Sequence, residues 1–128
     1  MSKQSDALRF TEDHEWVRMD ADGSAVVGIT DHAQSALGDV VFVQLPSVGA
    51  HYEAGEEIAV IESVKAAGGI KAPMAATVVE VNDALVDDAS KANTDPMNSG
   101  WFVRLKLDDA AGFDALLGAD AYTKLIEG

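Results

Sequence analysis

Residues 58–73 read IAVIESVKAAGGIKAP, and this stretch decides the expected fold. Two apolar, β-prone runs flank a short tip, which is the pattern of a β-hairpin. Lys65 lies near that tip between small or β-branched neighbours, so we expect its amine to project into water, where a modifying enzyme can reach it. Lys71 stands in a similar Ile-Lys-Ala context, but on the returning strand before Pro73. An exposed lysine is ordinarily only a solvated surface residue, so this stretch alone leaves the function open.

Short extended runs separated by turn residues continue on both sides of this hairpin. Residues 16–19 and 24–29 flank an Asp-Gly turn signal at 20–23 and predict another hairpin. Further strands are predicted at 40–45, 77–81 and 101–107, the last with Trp101, Val103, Leu105 and Leu107 on one face. Trp16 and Trp101 are predicted core residues. About seven short strands at this spacing are typical of a small, mostly β protein, so we expect a flattened sandwich or barrel.

Helical signals are few and short. Residues 31–38 predict a short helix after the 16–29 hairpin, with Asp31 as its cap, Gln34 in the capping-box position and Gly38 at its end. Residues 113–126 contain two apolar groups at helical spacing. We therefore expect two short C-terminal helices that cover an end of the sheets.

Length and charge limit the classes of protein and partner. A chain of 128 residues fits one domain, so residues 1–128 are predicted to form a single domain. The formal net charge of −13 would repel nucleic acid phosphates and anionic membranes, so neither is an expected partner. No apolar run approaches the ~20 residues of a membrane span, and the first ten residues resemble neither a signal peptide nor a transit peptide. We expect a cytoplasmic protein, although a mature mitochondrial protein would look the same.

No residue pattern specifies catalysis. The chain lacks a Gly-x-Ser-x-Gly motif, a phosphate-binding loop and a dinucleotide fingerprint, and it has no cysteine for thiol chemistry or zinc. His14, His32 and His51 are far apart in the sequence and lack metal-ligand spacing. The acidic segment 83–95 lacks calcium-loop spacing and is predicted to be a solvated loop. We therefore expect no catalytic residues, no metal site and a non-enzymatic role.

Several stretches occur in an order and register that point to one family. They are FTEDHEWV (10–17), VGITDHAQ (27–34), LGDVVFVQLP (37–46), ESVKA (62–66) and VEVNDAL (79–85), then Gly100-Trp101 and the tail around Ala121-Tyr122. Together they resemble the H protein of the glycine cleavage system over about residues 8 to 127. The family fold is a lipoyl-type flattened sandwich, which agrees with the strand pattern.

The resemblance implies a cofactor and three site residues. It implies that lipoate is joined to Lys65 by an amide, which removes the ammonium charge; we reject Lys71 as the carrier. Glu62, three residues before that lysine, becomes a candidate for recognition by the lipoylating enzyme. Glu15, in the His-Glu-Trp motif, becomes a candidate contact for the aminomethyl group carried on the arm. Ordinary surface or capping roles stay open for both glutamates.

The resemblance also implies partners. Glycine decarboxylase (P protein), a pyridoxal-phosphate enzyme, would load the aminomethyl group of glycine onto the lipoyl arm. The aminomethyltransferase (T protein) would then take the carbon and release ammonia, and dihydrolipoyl dehydrogenase (L protein) would reoxidise the dithiol. A lipoate-attaching enzyme would act beforehand. The lysine side chain and the attached lipoyl chain form a tether of roughly 12–14 Å. Once the protein has docked on a partner enzyme, the encounter between the end of the tether and that enzyme's active site is intramolecular.

One departure from the family pattern keeps alternatives open. Gly68-Gly69 stand where family members commonly carry Ser-Asp, which removes a carboxylate near the loaded arm and loosens the loop. An H-like protein that acts in lipoyl relay or as an interaction module, without a role in glycine cleavage, is therefore one alternative. A biotinyl carrier domain is another, but such domains usually show Met-Lys-Met at the tip, where this chain has Val64-Lys65-Ala66.

Overall fold

Nine strands and five short helices form in the described part of the chain, residues 8–20, 23–109 and 111–127 of this computed structural model. The strands are β1 (Leu8–Phe10), β2 (Glu15–Met19), β3 (Ser24–Ile29), β4 (Val40–Gln44), β5 (His51–Tyr52), β6 (Glu57–Ser63), β7 (Ala67–Lys71), β8 (Ala76–Val81) and β9 (Val103–Leu107). The helices are α1 (Asp31–Leu37), α2 (Ala84–Asp87), α3 (Lys91–Thr94), α4 (Ala111–Asp114) and α5 (Ala119–Glu127). The prediction of a mostly β protein is confirmed.

Two antiparallel sheets face each other across one apolar core. The larger has the strand order β1-β2-β3-β9-β8-β5 and the smaller has the order β4-β6-β7. Side chains from both sheets meet in the core, among them Val27 and Val103 from the larger and Ile61 and Ile70 from the smaller. This is a flattened sandwich, as the alternation of apolar and polar residues predicts.

Both predicted hairpins are present. In the first, β2 pairs with β3 from Glu15 opposite Ile29 to Met19 opposite Ala25; residues 21–22 of its predicted turn lie outside the described residues. In the second, β6 pairs with β7, with a bulge between Glu57 and Ala59. In the three-stranded sheet β6 is central and β7 is an edge strand.

Helix α1 forms where the sequence predicts it, but its cap is one residue earlier. The backbone N–H of Ala33 donates to the Thr30 hydroxyl at 3.2 Å, and Asp31 is the first helical residue. Gln34 does not complete a capping box, because its side-chain amide donates to the Asp31 carboxylate at 2.9 Å. Gly38 ends the helix with φ +78°, a conformation that favours glycine.

The prediction of a solvated loop over residues 83–95 is wrong. The segment forms α2 and α3, and each buries one side chain in the core, Leu85 and Ala92 respectively. The Asn82 side-chain amide donates to the backbone oxygens of Ser99 at 2.9 Å and Trp101 at 2.8 Å, which fixes the start of the segment. Two apolar anchors suffice for two single-turn helices, and they are too few to give a periodic signal.

The two tryptophans differ in burial. Trp16 is fully buried, as predicted, and its indole N–H donates to the Pro96 oxygen at 2.8 Å. Trp101 is only partly buried, against a small apolar cluster that includes Trp16 and Tyr122. Strand β9 begins at Val103, so Trp101 precedes it, and Phe102 takes the buried position at its start.

The two predicted C-terminal helices are α4 and α5. In α5 the inward residue is Tyr122, whose ring stacks on Phe10 with centroids 4.6 Å apart. Leu125 and Ile126 are exposed, so α5 covers the sheet through one aromatic anchor rather than through a full apolar face. Among the described residues, no helix is long and apolar enough to cross a membrane.

Candidate functional site

Lys65 lies at the tip of the β6–β7 hairpin, as predicted, with an exposed side chain. Ser63 closes the turn: its N–H donates to the Ala66 oxygen at 2.8 Å, and its hydroxyl accepts the Ala66 N–H at 3.0 Å. Val64 beside the lysine is also exposed. A tight turn of this kind presents the lysine to solvent because its short connection has no core to bury a long side chain.

The tip rests on the connection between α1 and β4. The Val64 N–H donates to the Asp39 oxygen at 3.0 Å. The stem of Lys65 passes beside Gly38, since a Cβ built on that glycine would lie 3.2 Å from the lysine Cε. The tip is therefore attached to a second element and is not a free loop.

Asn93 holds that connection in place, and sequence reasoning missed it. Its side-chain oxygen accepts the Val40 N–H at 2.7 Å, and its amide donates to the Gly38 oxygen at 2.9 Å and the Gln34 side-chain oxygen at 3.0 Å. Asn93 lies on α3, inside the segment predicted to be solvent-exposed loop. No local motif indicates a partner more than fifty residues away in the sequence.

The surroundings of Lys65 fit an acylated lysine. Within residues 8–20, 23–109 and 111–127, its amine forms no ion pair or hydrogen bond. Converting that amine to an amide removes its charge, and no partner among those residues would be left without a counter-charge. The exposed side chain also leaves space for a long attached group.

Glu62 and Lys71 lie on strands beside the tip. Glu62 is exposed on β6, opposite Phe42 of β4 and Ala67 of β7, and it forms no ion pair with another described residue. Lys71 ends β7 opposite Glu57, so it lies within a strand ladder and not at a chain reversal. This placement agrees with the choice of Lys65 over Lys71.

Glu15 is a buried carboxyl group at the start of β2, with 2% of its surface exposed. One carboxylate oxygen accepts the Lys71 backbone N–H at 2.7 Å, and the other lies 3.4 Å from the Thr11 hydroxyl. Burial, partly offset by the hydrogen bond from the Lys71 N–H and aided by the nearby Asp13, raises the pKa of Glu15 to about 7. Glu15 can therefore change its charge near neutral pH.

Glu15 borders a cleft of about 350 Å³ near the end of β7, and Lys65 does not line it. The lining residues are Phe10, Thr11, Glu12, Asp13, Glu15, Gly55, Lys71, Ala72, Pro73, Ala115, Leu116 and Leu117. Six residues separate Lys65 from Lys71, which is at most about 20 Å at the rise of a strand. Lys65 therefore precedes the start of β7, whereas Glu15, on β2, bonds the backbone at the end of β7.

Two of the three histidines meet, which their spacing in the sequence does not predict. The rings of His14 and His32 lie 4.5 Å apart, and His14 Nδ1 is 2.9 Å from the Tyr122 hydroxyl. That hydroxyl also bonds the Thr30 hydroxyl at 2.7 Å. Burial, together with the neighbouring His32, lowers the pKa of His14. Among the described residues no group of three or more His, Cys, Asp or Glu could hold a metal ion.

Known proteins similar to this chain agree with one another. A family model described as "Glycine cleavage H-protein" matches residues 8–128. The glycine cleavage system H protein of Acidiphilium cryptum is 61% identical over 114 residues, covering 89% of this chain and 91% of that protein. H protein 1 of Pseudomonas putida is 56% identical over 120 residues, covering 94% of each chain. The Escherichia coli H protein is 49% identical over 127 residues, covering 99% of this chain and 98% of that one.

A solved structure adds the fold. The crystal structure of a glycine cleavage system H protein from Mycobacterium marinum superposes with a TM-score of 0.83 at 38% identity, covering 95% of this chain and 98% of that one. Sequence and fold thus lead to the same family, and the resemblance found in the motifs is confirmed. The chain belongs to the glycine cleavage H-protein family.

Proposed function

We propose that this protein is the lipoylated carrier of the glycine cleavage system, with lipoate on Lys65. As an H protein it is a carrier component and not a catalyst. The proposed partners are glycine decarboxylase, the aminomethyltransferase, dihydrolipoyl dehydrogenase and a lipoate-attaching enzyme. The proposed location is the cytoplasm, in keeping with the bacterial sources of the relatives described above.

One observation carries the choice of residue: the exposed amine of Lys65, without an ion-pair partner in the part of the chain that the structure describes, stands at a chain reversal held by hydrogen bonds. Val64 bonds Asp39, and Asn93 holds the connection on either side of that aspartate. An enzyme that modifies the lysine meets a fixed backbone and a mobile side chain. A fixed backbone of this kind favours modification at one position, because little of the chain must be ordered when the enzyme docks.

The bound lipoyl group would supply a dithiolane, a cyclic disulfide that this cysteine-free chain lacks, and with it the capacity to accept an aminomethyl group and to be reoxidised. The chain's own residues hold and present that group. The hairpin sets the origin of the tether at Lys65. The acidic surface, with a formal charge of −13, favours brief docking to basic surfaces of partner enzymes.

Glu15 and Glu62 have separate proposed roles. Glu62 is exposed three residues before Lys65, where a lipoate-attaching enzyme can contact both. Glu15 faces the cleft at the distant end of β7, and above a pH of about 7 its carboxylate carries the charge that attracts an ammonium group. A tether of roughly 12–14 Å must be nearly extended along β7 to approach it.

A reconstituted assay tests the proposed function. Lipoylated protein, Lys65→Arg and the matched control Lys71→Arg are each combined with the three partner enzymes, and glycine-dependent release of carbon dioxide and ammonia is measured. We expect Lys71→Arg to support turnover like the unaltered protein, and Lys65→Arg to give only background. Full lipoylation without turnover would instead indicate a lipoyl relay or interaction module, and a biotin mass on Lys65 would indicate a biotinyl carrier.

A further inference from the structure

The outward face of β7 carries little side-chain bulk between the tip and Lys71. Ile70 is fully buried, so its neighbours Gly69 and Lys71 face away from the core. Gly69 has no side chain, yet the space beside it is filled. A Cβ built on Gly69 would overlap the Glu57 carboxylate and would lie 2.9 Å from the Ala59 backbone oxygen.

Glu57 reaches this position from the neighbouring strand. The bulge between Glu57 and Ala59 shifts the β6–β7 register, and the glutamate side chain extends across it to Gly69. Glu57 is exposed, and it forms no ion pair with any residue in the described ranges, although Lys71 is its partner across the ladder. A carboxylate without an ion-pair partner in the described ranges therefore lies where a side chain at position 69 would be.

The distance from Lys65 to this carboxylate matches the reach of the tether. Gly69 is four residues after Lys65, which is at most about 13 Å along a strand. A lipoyl-lysine tether spans roughly 12–14 Å, so an arm that lies along β7 can reach Gly69. Glu15, which bonds the backbone of Lys71, lies two residues further on.

We propose that Glu57, whose carboxylate lies over Gly69, is a second carboxylate, besides Glu15, that receives the cationic end of a loaded tether. The ligand class is a primary ammonium on a thioether-like carbon chain. An ion pair of this kind favours a charged cargo over a neutral one of the same size. The inference rests on the proposed function, because it requires the tether to start at Lys65.

A pair of alkylated arms tests this without any partner enzyme. Lipoylated, ¹⁵N-labelled protein is reduced, and its two arm thiols are alkylated with 2-bromoethylamine, which adds ammonium groups, or with 2-iodoethanol, which adds neutral groups of similar size. The chain contains no cysteine, so the arm carries the thiols that react. The readout is the difference in the Gly69 amide chemical shift between the two arms.

We expect a clear difference in the Gly69 amide shift between the two arms in the unaltered protein. This difference should fall by more than half in Glu57→Gln. It should be intermediate in Glu57→Asp, whose carboxylate is one methylene shorter. Asp87→Asn removes an exposed carboxylate on α2 and serves as the matched control, which should keep the full difference. An unchanged difference in Glu57→Gln would overturn the proposal, as would its loss in Glu15→Gln alone.

Failure of the proposed function and failure of the Glu57 role give different results. Intact-mass measurement and peptide mass mapping before alkylation show whether Lys65 carries a lipoyl group at all. Its absence would overturn the proposed function and the role of Glu57 with it. Normal lipoylation with no effect of Glu57→Gln would overturn only the role of Glu57.

Discussion

Replacing Glu15 with glutamine should remove a pH-dependent cost from the folded protein. Burial raises the pKa of Glu15 from its ordinary 4.5 to about 7. Between these pH values the folded protein keeps a proton that the unfolded chain has released, so the free energy of unfolding falls as pH rises through this window. At about 1.4 kcal/mol per tenfold change in proton affinity, the full loss is roughly 3 kcal/mol.

Glutamine has the same shape without the charge, and its side-chain oxygen can still accept the Lys71 N–H that Glu15 accepts at 2.7 Å. The variant should therefore match the unaltered protein near pH 5 and exceed its stability above pH 7. Other carboxyl groups titrate in both proteins alike, so the difference between the two isolates Glu15.

Urea unfolding at intervals from pH 5 to pH 8.5 measures this difference. We expect the gap in the free energy of unfolding to widen by about 2–3 kcal/mol in favour of Glu15→Gln across that range. A gap that does not change with pH would refute the reasoning, as would a Glu15 carboxyl whose ¹³C shift titrates below pH 5. Either result would mean that the carboxyl group is solvated in solution.

Two further substitutions test the packing around the site. Asn93→Ala should lower the free energy of unfolding by about 1–3 kcal/mol, because the Val40 N–H loses its acceptor. The same variant should be lipoylated more slowly. Asn98→Ala, at an exposed position, should change neither the stability nor the rate of lipoylation. Tyr122→Phe should cost about 1–2 kcal/mol in urea unfolding, because its hydroxyl bonds Thr30; a cost near zero would show that this bond contributes little.

The hairpins and the position of Lys65 were predictable because they depend on local signals. Alternation of apolar and polar residues fixes which face of a strand is buried, and short turns with small residues fix where the chain reverses. Residues 58–73 contain both signals. The cap of α1 was misplaced by one residue because Thr30 and Asp31 are both good caps, and only the structure shows which of them has the extended backbone.

The supports of the site depend on contacts between distant parts of the chain, which local patterns do not indicate. Asn93 braces the segment below Lys65 from a stretch whose acidic composition suggested a loop. His14 meets His32 and Tyr122 only after β2, α1 and α5 have packed. Glu57 approaches Gly69 beside a β-bulge, which moves a side chain out of its regular position in a strand.

Mapping the modified residue tests the central claim most directly. The protein, Lys65→Arg and Lys71→Arg are produced in cells that attach lipoate, and each is analysed by intact mass and by peptide mass mapping. We expect one lipoyl group on the peptide that contains Lys65 in the unaltered protein and in Lys71→Arg, and none in Lys65→Arg, whose circular dichroism stays unchanged. A lipoyl group on Lys71, or one that persists in Lys65→Arg, would contradict that claim.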